Sequence, residues 1–315
     1  MKRFLLMLLF ALPAHAQTFP DRPIRIVVPF GAGGLADVTF RLVAEKLSPL
    51  VGKPVIVENQ PGAGGIAAAN TVLKAKPDGH TLLVISNGTA ISTSLFKSLP
   101  YDPIKDLQPV SLVGWFDLLV LVKAESPYRT LNDLLAAARR SPGKLNFATI
   151  NPGSTQNLSA ELFRSVAGVD APIIPFKTSP EAFTALVGGN VDVVFESYAA
   201  ARPLVTGNRM RALASTGNRR YGYLPEVPTA IESGLPNYEV SGWNALAAHA
   251  GAPREAIAFL NRQVNAVVQM PDVKARLLEF GILAYGGAPE ELRAQLVKDA
   301  AKWAAVIERA GIPRQ

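Results

Sequence analysis

Two short segments of this 315-residue chain echo each other, Phe30-Gly31-Ala32-Gly33-Gly34 and Pro61-Gly62-Ala63-Gly64-Gly65. Glycine lets a backbone approach a bound group closely and adopt positive φ, and the unpaired N–H groups of a following helix start carry partial positive charge. Neither loop contains Lys or Arg. An anion held there is therefore gripped by amides, dipoles and water, without an ion pair. The first loop also fits G-x-G-x-x-A from Gly31 to Ala36, with Glu58 22 residues beyond, where the ribose-binding acid of a dinucleotide site would stand. Yet the second loop fits the same pattern from Gly62 to Ala67, and Gly62 follows Glu58 so closely that its turn would crowd a ribose.

Other chemistry finds little support. Beyond residue 16 the only histidines are His80 and His249, in neither H-x-x-x-H nor H-x-H spacing, so no metal is expected. There is no G-x-S-x-G elbow for a serine hydrolase, and the absence of Cys excludes thiol catalysis and disulfides. A hydrolase using two acids, such as Asp37 and Glu196, stays open because sequence gives no distance between them.

The loops need strands and helices to place them. Ile24 to Val28 and Pro54 to Glu58 read as strands, Asp37 to Leu50 and Ile66 to Lys76 as helices, and Thr81 to Ile85 as a third strand. Each glycine loop thus lies between a strand's carboxyl end and a helix's amino end, where open α/β sheets bind ligands. The alternation resumes with strand Asp117 to Val122, helix Leu131 to Arg140, strand Leu145 to Ala148, helix Gln156 to Ala167 and strand Ala171 to Pro175. Helix Pro180 to Val187, strand Val191 to Phe195, a short helix Tyr198 to Val205 and strand Arg211 to Ser215 follow. Such alternation implies parallel sheets with right-handed crossovers. From Ala252 the pattern is helical, and Leu292, Leu296, Ala300, Trp303 and Ile307 share a face of the last helix. Linking stretches at Leu112 to Leu118 and Leu224 to Ser241 divide the chain into one lobe of residues 17–115 plus 225–315 and a second, inserted lobe of residues 116–224.

Lys2 and Arg3 precede the apolar run Phe4 to Leu12, which ends in Ala14-His15-Ala16. This is the pattern of a cleavable signal peptide, residues 1–16, cut near Ala16/Gln17. Nine apolar residues are too few for the ~20 of a membrane-spanning helix, and no Cys follows to carry a lipid. The expected mature chain has 30 basic and 25 acidic residues, scattered apart from the pairs Arg139-Arg140 and Arg219-Arg220. A nucleic-acid stripe would cluster them with aromatics. Export also argues against nicotinamide cofactor, which is not expected outside the cytoplasm.

The run Pro20-Asp21-Arg22-Pro23-Ile24 into Val27-Val28-Pro29-Phe30-Gly31-Ala32-Gly33-Gly34, with Asp37, is similar to the opening of Bug-type receptors of tripartite tricarboxylate transporters. So are Val57-Glu58-Asn59-Gln60-Pro61-Gly62-Ala63-Gly64-Gly65 and Pro77-Asp78-Gly79-His80-Thr81-Leu82. Asn146-Phe147-Ala148, Val187-Gly188-Gly189 and Pro225-Glu226-Val227-Pro228-Thr229, with Glu232 and Gly234, continue the likeness across the mature chain.

The resemblance implies an α/β, type II periplasmic-binding-protein fold of two Rossmann-like lobes closing on a small organic carboxylate. It implies a monomer without catalysis or cofactor, handing its ligand to membrane transporter subunits or informing a sensor kinase. By position it points to Phe30, Gly31, Ala32, Gly33, Gly34, Asp37, Gly62, Ala63, Gly64, Gly65 and Asn87 in the first lobe. From the second come Ser154, Thr155, Gln156, Thr178, Ser179, Glu196 and Ser197. Helix N-capping alone would also explain Ser154, Thr155, Thr178 and Ser179, a helix-start charge Asp37, and a turn Asn87. The chain departs from the family pattern at Phe176-Lys177-Thr178 (often Tyr-Lys-Gly), at Asn157 (often His) and at Glu196 (often Asp). All three lie on the side that sets selectivity, so the ligand's identity does not follow.

Overall fold

The computed structural model describes residues 19–220, 224–309 and 311–315, so the segment read as a signal peptide lies outside the described residues. The chain forms β1 (Ile24–Val28), α1 (Leu35–Val51), β2 (Val55–Asn59), α2 (Ile66–Leu73), β3 (Thr81–Ser86) and α3 (Asn87–Leu95). α1 buries Leu35, Phe40, Val43, Ala44, Leu47 and Val51, a helical stripe, and ends where Gly52 turns left-handed at φ 67°. β1 pairs in parallel with β2 and β3.

β4 (Leu107–Lys123) is one strand of 17 residues, and the stretch expected to link the lobes is its interior. Pro109 and Gly114 look like strand breakers, but both sit at shifts in the β4 register against β9 (Ser241–His249), where bulges tolerate them. The first part of β4 lies between β9 and β10 (Ile282–Ala284) in the first lobe. Its last part, from Leu118, lies between β7 (Val193–Ser197) and β8 (Met210–Ser215) in the second. All these pairings, and β3 with β9, are antiparallel. The sheets are therefore mixed rather than parallel, because β9 returns from the second lobe alongside the strand that left for it.

The second lobe adds α4 (Leu131–Arg140), β5 (Phe147–Ile150), α5 (Thr155–Ala167), β6 (Ile173–Phe176), α6 (Ser179–Val187) and α7 (Tyr198–Thr206). β5 pairs in parallel with β6 and β7. Phe147, Phe163, Phe195 and Tyr238 meet mostly edge to face in its core. Thr216, fully buried, ties the two crossings together: its N–H donates to Leu118 O, its hydroxyl to Val240 O at 2.6 Å, and its Oγ1 accepts from Leu118 N at 2.8 Å.

After β9 come α8 (Arg254–Gln269), α9 (Pro271–Glu279), β10 and α10 (Pro289–Arg309). α10 buries Leu292 and Leu296 against the first lobe, and Trp303, Val306 and Ile307 in the core that also holds α4 and α5. Trp243 of β9 is fully buried and donates its indole N–H to Asp299 of α10 at 2.6 Å. Trp243→Phe keeps most of the packing but leaves that carboxylate without its donor. It should cost about 2 kcal/mol, read as a lower urea midpoint at unchanged slope, and an unmoved midpoint would show that the bond does not anchor α10.

Candidate functional site

Four helix starts converge between the lobes. α1 begins behind an extended Gly34, α3 behind Ser86, α5 behind Ser154 and α6 behind Thr178. Three of these caps use a side chain: Ser86 Oγ accepts from Gly88 N, Ser154 Oγ from Asn157 N and Thr178 Oγ1 from Glu181 N. Each cap satisfies one of the orphan first-turn donors and leaves others to a ligand. Each helix start carries roughly half a positive charge.

All four starts reach one small cavity, closed down to about 20 Å³. Gly34, Leu35 and Ala36 line it from α1, Ser86 from α3, Thr155 and Gln156 from α5, Thr178 and Ser179 from α6, with Phe30, Gly31, Phe116, Ile150 and Asn244 completing the wall. No Lys, Arg, His, Asp or Glu is among these lining residues. Asn244 is 3 % exposed and its Nδ2 has no hydrogen-bond partner. Nδ2 of Asn87 and of Asn151 is orphaned in the same way. A buried amide donor left unmade costs about 1–3 kcal/mol, and at Asn244 a ligand acceptor would relieve it.

Of the residues expected from sequence, Phe30, Gly31, Gly34, Thr155, Gln156, Thr178 and Ser179 meet at this cavity. Ala32 and Gly33 are exposed on the loop shoulder. Asp37 is buried beneath that loop, where it accepts from Gly33 N at 2.9 Å and pairs with Arg41 at 2.9 Å, so its role is to hold the loop. The second loop does not line the cavity; it meets the other lobe. Gly64 N donates to Pro152 O at 3.2 Å, and the Tyr101 hydroxyl donates to Gly64 O. In that loop Gly62 and Gly65 are half-buried and Ala63 is exposed.

Asn87 is buried and accepts from the Thr155 hydroxyl at 2.6 Å, a second bond between lobes. Added to the close approach of Gly31 to Thr178 and of Gly34 to Ser179, these contacts make the conformation a closed one. Ser154 caps α5, and Ser197 caps α7 while its N–H donates to Glu196. Glu196 stands behind the wall, its Oε1 accepting from Gln156 Nε2 and its Oε2 from Ser179 Oγ. Burial pushes its carboxyl above the ordinary carboxylate range, against the opposing pull of hydrogen bonds from Ser179, Gln156 and Ser197.

The sequence reading missed Leu35, Ala36, Ser86, Phe116, Ile150 and Asn244. A signal for Asn244 exists, since it is the one polar residue in the apolar run Gly242-Trp243-Asn244-Ala245-Leu246-Ala247-Ala248. A lone amide inside a buried strand calls for a partner.

The family model described as "Tripartite tricarboxylate transporter family receptor" matches residues 39–312. The periplasmic binding protein BugD superposes with a TM-score of 0.90 at 29% identity, covering 94% of this chain and 100% of that one. Rpa4515 of R. palustris, solved with adipate, gives 0.90 at 32% identity over 94% of this chain and 99% of that one. MatC from Rhodopseudomonas palustris, solved with bound malate, gives 0.87 at 34% identity over 92% and 100%. Fold, glycine loops and family model agree: the chain belongs to the tripartite tricarboxylate transporter family receptors, with their two-lobed periplasmic-binding-protein fold.

Proposed function

We propose that this protein is an exported periplasmic receptor that closes its two lobes on a small organic carboxylate and delivers it, unchanged, to membrane subunits of a tripartite tricarboxylate transporter. The observation that carries the reading is the convergence of four helix starts and an unpartnered Asn244 amide on one cavity whose lining residues are all uncharged. A carboxylate satisfies those donors without a titrating partner. The adipate and malate held by Rpa4515 and MatC support the same ligand class.

In this reading the cavity-lining residues touch the ligand. Asp37, Asn87, Ser154, Glu196 and Ser197 hold them in place, and the second glycine loop, Gly62 to Gly65, locks the closed form. The lobes rotate about β4 near Asp117 and about the return to β9, where Thr216 joins the two crossings; residues 225–240, expected in the first lobe, move with the second, since Ala230, Leu235 and Tyr238 pack in its core. Calorimetry and thermal unfolding over mono-, di- and tricarboxylates test it. A bound ligand at 100 times its Kd stabilises by about 2.7 kcal/mol, the radius of gyration should fall on binding, and the ligand should be recovered intact. Chemical turnover of a bound carboxylate, or binding without compaction, would overturn the receptor mechanism.

A further inference from the structure

Glu196 is 1 % exposed, and its carboxylate is held by three donors. Gln156 Nε2 donates to Oε1 at 2.8 Å, Ser197 N donates to Oε1 at 2.6 Å, and the Ser179 hydroxyl donates to Oε2 at 2.6 Å. None of these partners is a cation. Two of them, Gln156 and Ser179, also line the cavity. With one of its two N–H groups committed to Glu196, the Gln156 amide has its oxygen free to accept, and a hydroxyl whose proton points at Glu196 offers only lone pairs.

We infer that Glu196 determines which far end the ligand carries: it turns Gln156 and Ser179 into hydrogen-bond acceptors, so the receptor takes a monocarboxylate whose other end donates. That end is a hydroxyl, an amide or an ammonium, preferred over the second carboxylate of a diacid of equal length. The proposal rests on the carboxylate reading above and gives the two lobes different parts. On the first lobe, the α1 start and the orphaned Asn244 Nδ2 present donors to the ligand's carboxylate. On the second, the α5 and α6 starts supply roughly half a positive charge each, which the single negative charge of Glu196 offsets. The charge of Asp37 beneath the first-lobe loop is, by contrast, matched by Arg41. A second carboxylate laid against Gln156 and Ser179 meets acceptor atoms with a like charge behind them. A donor group meets its complement.

The test is calorimetry of the wild type and Glu196→Gln with succinate, its monoamide and 4-hydroxybutanoate, and with the corresponding five- and six-carbon sets. The wild type should bind the monoamide or hydroxy acid at least about tenfold tighter than the diacid, the size of one well-made charged hydrogen bond. In Glu196→Gln the new amide oxygen can keep accepting from Gln156 and Ser197, while its N–H donates to Ser179 Oγ and turns that hydroxyl's proton toward the cavity. The preference should then shrink by about fivefold or reverse, whereas a merely structural role would shift all affinities together. A wild type that binds the diacid as tightly as its partners overturns the proposal while leaving the carboxylate reading intact. So does an unchanged preference in folded Glu196→Gln. If no carboxylate of any set binds, the carboxylate reading fails and the proposal with it. The wild-type comparison stands even should the variant not fold.

Discussion

Gly31→Val should abolish tight ligand binding while leaving a folded protein. An added Cβ would overlap the Thr178 methyl carbon and lie 3.1 Å from the Lys177 carbonyl oxygen, both on the opposite lobe. Gly31 is not among the glycines with positive φ, so its own loop accepts a side chain and the conflict arises on closure. Overpacking of this kind costs about 1–3 kcal/mol, which lowers affinity about 5- to 150-fold when it falls on the closed state. Calorimetry should show that loss, and scattering should show little compaction at ligand levels that compact the wild type. Wild-type affinity in the variant would remove Gly31 from the closure interface. Gly33→Val is a blunter probe, because Gly33 has φ 78° and any side chain there strains the loop itself.

Asn244→Leu should separate binding from stability in opposite directions. The amide it removes is buried and its Nδ2 bonds to nothing in the closed protein. Removing an unsatisfied donor costs the fold little and can stabilise it, so the unliganded melting temperature should hold or rise. If the ligand's carboxylate accepts from Nδ2, its loss should weaken binding by about 1.5–3 kcal/mol, roughly 10- to 150-fold. A variant that melts earlier but binds normally would make Asn244 a structural residue and take away the donor on which the site reading leans.

How much of this was legible in the sequence depended on what each signal measures. α4 was read to the residue, because Leu131, Leu134, Leu135 and Ala138 keep one face and Thr130 caps it with Asp133. β5, β6 and β7 each begin two residues later than their apolar runs. Leu145, Ala171 and Val191 are buried but lie ahead of the first paired residue, so the pattern reported burial rather than strand pairing. α3 was unreadable: Asn87, Gly88, Thr89, Ser92 and Thr93 are weak helix formers, and its near-complete burial overrides propensity. The same oversight hid Ser86 as a cap. β9 was passed over, because the linker reading stops at Ser241 and the helical one starts at Ala252 with nothing assigned between them, and Asn244 was lost with it.

The place of β9 also sets an order of assembly. It lies between β3 and β4 in the middle of the first lobe's sheet, and Ile85 pairs with Ala245, 160 residues later. Contacts so far apart in sequence form late, after shorter-range ones have closed. The second lobe, strung between β4 and β9, has its strands within one continuous stretch and can condense first. During synthesis roughly the opening 120 residues must wait with the inner edges of β3 and β4 bare, and only the last quarter of the chain supplies the strand that joins them.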